Sequence, residues 1–461
     1  MERMLHKNPR NRQIPWVTVA IWGAVMVMAL VVGIQAWHKE VKDLALANPL
    51  DINDFNRWLR MLPGFLHHHA NFKNDLWPMP PFTIVLFSPF SLLSFPAAQF
   101  AWAFFKPVLL AIIFYSALDI VRKSAVPIAV VPMTLLLAVW FWPVIGDMQE
   151  GQVNLLMLTP MAVGLWLAQK ETVKADWLAG LMLAMAVAIK VTPIIFVVYF
   201  LWRRRWRVAA AMALGIPFWL FVPLAVCFGP AQSMLWNHQY FDIMIRPYIL
   251  HSAVKVPSGE SIPSFLLRLL AHVPAFVAYP HGHARNYYVN LFDLSPASAQ
   301  RVIRFVLVGI GCVGLVWMRR KLPTLRCRRY VLEIGAVAAF MLWAEEWSWV
   351  PHYVTLIFTL MAAAMVASDR EAPRIGRILS MMALAVAAVL MMLTSDLIKI
   401  FGPHAANYGR TLDPALFAGF ALVLAFMASG YSRRIAYSPP EVIGAAEDAG
   451  QIGGRLHESG D

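Results

Sequence analysis

Long apolar runs separated by short polar turns occupy most of the chain. About 20 apolar residues in a helix cross the hydrocarbon core of a bilayer, so runs of this kind predict membrane-spanning helices. The pattern therefore predicts an all-α polytopic membrane protein with about 12 transmembrane helices. The predicted spans are residues 15–37, 97–121, 127–145, 153–168, 177–189, 193–202, 208–228, 302–318, 331–347, 352–367, 378–398 and 412–429.

One apolar run, 81–93, is too short to cross a bilayer comfortably and is bounded by Pro80-Pro81 and Pro96. It predicts a juxtamembrane or re-entrant helix within a first polar segment, 38–96. A second long polar segment covers residues 229–300.

The runs 177–189 and 193–202 are separated only by Lys190-Val191-Thr192. They form either one kinked helix or two short helices. The placement of charge favours two helices with Lys190 at an outer turn, because cytoplasmic loops of membrane proteins collect Lys and Arg. In that arrangement the basic residues at 122–123, 170–174, 203–207 and 319–329 are all cytoplasmic.

Composition and charge exclude a soluble enzyme. Of the 461 residues, 59% are hydrophobic and only 14% are charged, whereas a soluble domain carries about a quarter charged residues. We predict one transmembrane unit, 15–430, with both long polar segments on the outer face. The N-terminus 1–14 and the acidic, Gly-rich tail 431–461 are predicted to be cytoplasmic, and the tail to be disordered.

No metal, cofactor or nucleic-acid partner is predicted. The three cysteines form no spaced pair, and the sequence has no Gly-rich phosphate loop. The net charge of +13 is explained by basic cytoplasmic loops. The three adjacent histidines His67-His68-His69 are interpreted as a solvated loop.

Two aspartates follow the first predicted span, Asp51 and Asp54. A carboxylate here can act as a general base for an acceptor hydroxyl. Either residue can instead cap the helix predicted to begin near Phe55. The residues alone leave both interpretations open, and one aspartate can cap while the other acts as base.

Other polar residues near the predicted outer surface also have two interpretations. Lys190 can bind a phosphate or extend as a snorkelling side chain at a helix end. Gln152 and Asn154 can hydrogen-bond a sugar or a neighbouring helix. His352 can donate to a phosphate, whereas the aromatic residues near it are common at any membrane interface. Lys106 and Asp119 are interpreted as structural, with Asp119 pairing with Arg122 or Lys123.

Several motifs follow one another in a recognisable order. They are Asp54-Phe55 with Trp58, Pro80-Pro81-Phe82 with Ser88-Pro89, Gly151-Gln152-Val153-Asn154, Lys190-Val191-Thr192-Pro193 and Ser348-Trp349-Val350-Pro351-His352-Tyr353. Their order and spacing, over most of residues 15–430, resemble glycosyltransferase family 87. This membrane-embedded group of the GT-C superfamily includes polyprenol-phosphate-mannose-dependent mannosyltransferases.

The resemblance implies a GT-C fold in the cell membrane and an inverting sugar transfer on its outer face. The sugar, mannose by the resemblance, moves from a polyprenyl-phosphate donor to a lipid or glycan acceptor. Asp54 stands at the position of the family's base, and Lys190, His352 and Arg57 are candidates for holding the donor phosphate. Candidate substrate-binding residues are Asp51, Gln152, Asn154, Glu260, Trp349 and Tyr353.

The chain departs from the family pattern on the substrate side. It has Trp77-Pro78-Met79-Pro80-Pro81 where the family tends to have Tyr-Pro-Pro. Gly259-Glu260-Ser261 is the nearest match to an Asn-Gln-Ser motif, and Pro351 replaces the first of two adjacent histidines. These departures bear on the sugar and the acceptor more than on the class of chemistry.

Two other functions are compatible with many spans and a few membrane carboxylates. The first is a transporter or flippase. Such proteins often contain inverted repeats with broken helices, but the sequence shows no second copy of the break at 190–193. The second is an inactive assembly subunit, against which the Asp54 motif argues.

Overall fold

A computed structural model describes residues 53–67, 72, 77–251, 259–278, 285–346, 348–394, 402 and 411–429, with a few single positions between 23 and 38. The predicted termini 1–14 and 431–461, most of the predicted span 15–37, and Asp51 lie outside the described residues.

The described chain is almost entirely helical. The helices are α1 (Asp54–Leu66), α2 (Phe82–Phe87), α3 (Phe95–Arg122), α4 (Val130–Gln149), α5 (Asn154–Ala168), α6 (Val173–Ile189), α7 (Ile195–Trp202), α8 (Trp206–Phe228), α9 (Pro230–Tyr240), α10 (Arg246–His251), α11 (Ile262–Leu270), α12 (Pro296–Trp317), α13 (Arg328–Ala344), α14 (Ile357–Ser368), α15 (Arg374–Leu393) and α16 (Pro414–Ala428).

Shorter elements complete the described fold. Turns of 3-10 helix cover Ser88–Leu92, Thr192–Ile194 and Val350–Leu356, and a π-helical turn covers Phe241–Ile245. Strands β1 (Phe276–Ala278) and β2 (Arg285–Tyr287) form an antiparallel pair with Val277 opposite Asn286.

The helices confirm the prediction of an all-α polytopic membrane protein. Six described helices are long and apolar enough to cross a bilayer, namely α3, α4, α8, α12, α15, and α14 together with the turn before it. Phe82–Leu92 is helical but short, as predicted for a juxtamembrane or re-entrant segment. The total of about 12 spans stays a prediction.

The second polar segment, 229–300, is more ordered than its composition suggested. It contains α9, α10, α11 and the β1–β2 hairpin. Its end is also earlier than predicted, because α12 begins at Pro296 rather than at residue 302. Ser295 caps this helix by accepting a hydrogen bond from the Ser298 N–H at 3.3 Å.

The chain reverses at Lys190. Gly180 of α6 packs against Ala211 of α8, and Gly215 of α8 packs against Ala184 of α6, so the two helices run parallel. A Cβ at Gly180 would collide with the Ala211 Cβ, which shows how closely the backbones approach. Because α6 and α8 run parallel, α7 between them runs the opposite way, and the two runs are separate short helices.

Basic residues collect at one end of the helices. Lys123 Nζ lies 2.8 Å from the Asp119 carboxylate, which confirms the predicted pairing of Asp119. Arg203 contacts both the Arg320 carbonyl and the Glu333 carboxylate at this end. Other basic residues here pair with acidic neighbours, namely Arg205 with Glu171 and Arg328 with Asp369 and Glu371.

The candidate site residues lie at the opposite end. There the ends of α4, α6 and α13 meet the beginnings of α5 and of the turn Val350–Leu356. The charged groups of the two ends are therefore separated by the apolar length of the bundle.

An aromatic cluster holds α1 against the site end of the bundle. Phe55 stacks on Trp102 of α3, with ring centroids 4.9 Å apart and planes 3° from parallel. Further along α1, Phe65 contacts Trp77 and Trp236 edge-on. This packing fixes the first turn of α1, where Asp54 lies.

Candidate active site

Asn53, rather than an aspartate, caps α1. Its Oδ1 accepts a hydrogen bond from the Asn56 N–H at 2.9 Å, as is typical of an N-cap residue. Asp54 therefore lies in the first helical turn, and the interpretation of Asp54 as the cap is wrong. Its carboxylate is left for other partners. The role of Asp51 stays a prediction.

The Asp54 carboxylate is partly buried and meets two polar side chains. Its Oδ1 lies 3.1 Å from Arg57 Nη1, and its Oδ2 accepts a hydrogen bond from Gln152 Nε2. Burial raises the pKa of Asp54, and the nearby Glu150 charge adds to this, whereas Arg57 and Gln152 act to lower it. A carboxyl whose pKa is raised accepts a proton more readily than an ordinary aspartate.

The turn after α4 places Gln152 against Asp54. The Asp54 N–H donates to the Glu150 carbonyl at 3.0 Å, which ties α1 to this turn. Gly151 adopts φ +65, and a Cβ there would lie 2.8 Å from the Phe55 Cβ. A glycine is therefore required for the turn to approach α1 so closely.

A buried ion pair supports the same turn. Lys106 Nζ donates to the Asp147 carbonyl at 2.5 Å and lies 3.0 Å from Asp147 Oδ1, with both side chains almost fully buried. The Asp147 carbonyl also accepts from the Gln152 N–H at 3.0 Å. The pairing agrees with the structural interpretation of Lys106.

Lys190 lies in a second polar group with three other residues. Its Nζ is 2.7 Å from Glu345 Oε1 and donates to Asn154 Oδ1 at 3.1 Å. The same Glu345 oxygen lies 3.5 Å from His352 Nδ1. Lys190 is therefore a paired side chain, not a snorkelling one.

A third group surrounds Glu260. The Tyr353 hydroxyl donates to the Glu260 carbonyl at 2.6 Å, and Arg268 binds the Asp413 carboxylate and the Gly259 carbonyl. Burial and the Asp413 charge raise the pKa of Glu260 to about 8, despite the nearby Arg268.

The three groups are contiguous in the fold. Gln152 belongs to the first and Asn154 to the second, and two residues of chain span at most about 7 Å. His352 and Tyr353 are adjacent and join the second group to the third. A polar layer thus extends from Asp54 to Glu260 across the site end.

The structure brings together most residues that the sequence singled out, with some differences. Arg57 lies beside Asp54, with its Nη1 3.1 Å from Asp54 Oδ1. Trp349 has a 43% exposed side chain, and its carbonyl accepts from the His352 N–H at 2.8 Å. Glu260 is connected to the Lys190 group through Tyr353.

Sequence reasoning missed four residues of this layer. None of these four was singled out as a candidate, namely Glu345, Asp147, Arg268 and Asp413. Each is an ionisable residue within or beside an apolar run, which is an expensive placement in a membrane protein and is therefore a usable signal.

The described residues contain no group of three or more His, Cys, Asp or Glu side chains that could hold a metal ion. His67 lies at the end of α1, whereas His68 and His69 are outside the described residues.

Comparison with known proteins agrees with the resemblance seen in the sequence. The chain is 26% identical over 377 residues, covering 79% of both chains, to a polyprenol-phosphate-mannose-dependent alpha-(1-2)-phosphatidylinositol mannoside mannosyltransferase of Mycobacterium tuberculosis. It is 29% identical over 332 residues, covering 67% of this chain and 66% of the relative, to the protein of the same description in Mycolicibacterium smegmatis.

The family model of glycosyltransferase family 87 matches residues 77–342, which is more than half of the chain. The matched region contains the turn at Gly151–Asn154, Lys190 and the Glu260 loop. Together with the helical membrane fold, this match shows that the chain belongs to glycosyltransferase family 87 and is a membrane glycosyltransferase.

Proposed function

We propose that this glycosyltransferase moves mannose from a polyprenyl-phosphate donor to a lipid or glycan acceptor, with Asp54 as general base. The observation that carries the proposal is the position of the Asp54 carboxylate. It lies at the same end of the bundle as Lys190 and His352, outside the apolar part, and is oriented by Gln152 and Arg57.

Attack on the anomeric carbon requires a base for the acceptor hydroxyl. Asp54 is free of the capping role and is 26% exposed, so an acceptor hydroxyl can approach it. As the hydroxyl oxygen bonds to the anomeric carbon, its proton passes to Asp54 and the bond to the donor phosphate breaks. One such displacement inverts the anomeric configuration.

The leaving group is a lipid phosphate, whose negative charge grows as the glycosidic bond breaks. Cations aimed at it stabilise the transition state more than the ground state. Among the described residues, Glu345 and Asn154 use two of the three N–H donors of the Lys190 ammonium. The third is suited to a phosphate oxygen.

The mannose donor is supported by the relatives, whose names specify polyprenol-phosphate-mannose. The same names specify a phosphatidylinositol mannoside as acceptor, which makes a glycosylated phospholipid the first acceptor to test. Gln152, Asn154 and Tyr353 belong to the polar layer between Asp54 and Glu260. We assign them to the substrates together with Asp51, Glu260 and Trp349.

The outer face of the membrane is the side we propose for the reaction. The end of the bundle opposite the site carries Lys123, Arg203, Arg205 and Arg328. Basic residues favour the cytoplasmic side. This distribution supports an outer position for Asp54, and we propose that both termini are inside. Family membership favours transfer over the transporter or flippase alternative.

The test is transfer of radiolabelled mannose from polyprenyl-phosphate-mannose to phosphatidylinositol mannoside by the purified full-length protein. Asp54→Asn removes the base while keeping a similar shape, and we expect kcat to fall by roughly 100- to 10,000-fold. A wild-type kcat in Asp54→Asn would show that Asp54 is not the base. If Asp51→Asn lost activity instead, Asp51 would be assigned as the base.

The matched control is Asp242→Asn. Asp242 lies in the second polar segment and pairs with Arg246 at 3.5 Å, so this substitution also breaks a short-range aspartate–arginine pair. We expect it to retain activity. A wild-type protein that transfers no mannose from this donor, yet moves the intact lipid across a bilayer, would support the transporter alternative.

A further inference from the structure

We propose that Glu345 is a positioning residue that holds Lys190 toward the donor phosphate. The proposal rests on the proposed function, because it takes Lys190 to be a phosphate-binding group. Glu345 directly follows α13, so the proposal gives a residue from another part of the chain a role in the transfer reaction.

The geometry places one carboxylate oxygen between two basic side chains. Glu345 Oε1 lies 2.7 Å from Lys190 Nζ and 3.5 Å from His352 Nδ1. The exposed fraction of the side chain is only 17% for Lys190, 11% for Glu345 and 9% for His352. Hydrogen bonds and charge pairs of this kind are stronger in such a poorly solvated place than in water.

The Lys190 ammonium needs a partner to be held in place. Lys190 is the extended residue that follows α6, and its side chain has four rotatable bonds, so an unpaired ammonium would adopt many positions. Glu345 Oε1 lies 2.7 Å from Lys190 Nζ, whereas it lies 3.5 Å from His352 Nδ1 with no hydrogen bond between them. Glu345 therefore sets the position of the lysine and only adjoins the histidine.

The charges are consistent with this role. Lys190 and Glu345 together are neutral, so a bound phosphodiester meets little net repulsion or attraction from the pair alone. As the leaving phosphate gains negative charge, the Lys190 ammonium held by Glu345 stabilises it.

The same helix offers a matched control. Glu333 of α13 is buried and also bridges two basic side chains, Arg203 and Arg329, but at the opposite end of the bundle. Glu333→Gln therefore removes a buried bridging carboxylate without touching the candidate site. A general effect of lost stability would appear in both variants, whereas a positioning effect would appear only in Glu345→Gln.

The experiment measures initial rates of the full-length protein against polyprenyl-phosphate-mannose and against acceptor, separately. We expect Glu345→Gln to raise the donor KM by about 10- to 100-fold and to leave the acceptor KM unchanged. Glu333→Gln should keep both KM values. Because Glu345 acts through Lys190, the variant carrying both Glu345→Gln and Lys190→Ala should be no worse for the donor than Lys190→Ala alone.

A donor KM that stays normal in Glu345→Gln but rises in Lys190→Ala would overturn the role of Glu345 and leave the proposed function intact. A normal donor KM in Glu345→Gln, Lys190→Ala and His352→Ala would overturn the phosphate assignment and this proposal with it. If Glu345→Gln is not recovered as a folded protein, Glu345→Asp keeps the charge and withdraws the carboxylate. Its donor KM should also rise, and a normal value would overturn the proposal.

Discussion

The neighbours of Asp54 act on its proton in opposite directions. Burial and the Glu150 charge raise the pKa of Asp54, whereas Arg57 and the hydrogen bond from Gln152 lower it, and the net direction is upward. A base works only when deprotonated, so activity is lost as the pH falls through this pKa. The acid limb of the pH profile should therefore lie above the ordinary aspartate range.

Two substitutions should move that limb in opposite directions. Gln152→Leu removes a hydrogen bond that favours the charged carboxylate, so the pKa of Asp54 and the acid limb of kcat/KM should move to higher pH. Glu150→Gln removes a nearby negative charge, so the limb should move to lower pH. Rate measurements across the acidic range test both. Shifts of the same sign would show that the limb reports another group.

At the scale of elements, the first turn of α1 and the turn after α4 form one unit. The Asp54 N–H bonds to the Glu150 carbonyl, and Gly151 leaves no space for a Cβ against Phe55. The buried Lys106–Asp147 pair also contacts this turn, because the Asp147 carbonyl accepts from both Lys106 and the Gln152 N–H. The position of the candidate base thus depends on close contact between two elements that are distant in sequence.

Gly151→Ala should therefore lower both stability and turnover. Its Cβ would lie 2.8 Å from the Phe55 Cβ, and overpacking of this kind costs about 1–3 kcal/mol. We expect a lower unfolding temperature and a lower kcat, because α1 must shift away from Gln152.

Gly229→Ala is the matched control for that variant. Gly229 also has a positive φ, +88, but a Cβ added there would meet no atom within 4 Å. It should show only the cost of backbone strain, with kcat unchanged. Equal loss of kcat in the two variants would indicate that strain, not contact with α1, is responsible.

At the scale of the molecule, the two ends of the bundle differ in chemistry. Reactive polar groups occupy one end, and arginines and lysines paired with carboxylates occupy the other. Asp293 precedes α12 at the site end, and Arg319 follows the same helix at the basic end; both are exposed. One transmembrane helix thus carries a reporter position at each end.

In a variant without the native cysteines, Asp293→Cys should react with a membrane-impermeant maleimide in intact cells. Arg319→Cys should react only after the membrane is permeabilised, because the basic end is proposed to face the cytoplasm. Labelling is read by a mass shift. The reverse pattern would place the candidate site on the inner face and contradict the proposed orientation.

The extent of what could be predicted differs between fold and site. The helical class and most helix positions were predictable, because apolar runs are local features with a characteristic length. The candidates Asp54, Lys190 and His352 were found through motif order. The role of Glu345 was not, because a glutamate beside an apolar run signals that a partner is needed but does not show which residue that partner is.

The sequence by itself determined that the chain is a helical membrane protein and that its motifs resemble family 87. Apolar runs and short motifs are local stretches of sequence, and their order along the chain can be read without the fold. Only the tertiary structure decided which polar groups meet. Gln152 reaches Asp54 across 98 positions, and Lys190 reaches Glu345 from another helix. Helix packing sets such pairings, since buried charges in an apolar bundle are stable only where a partner is brought to them.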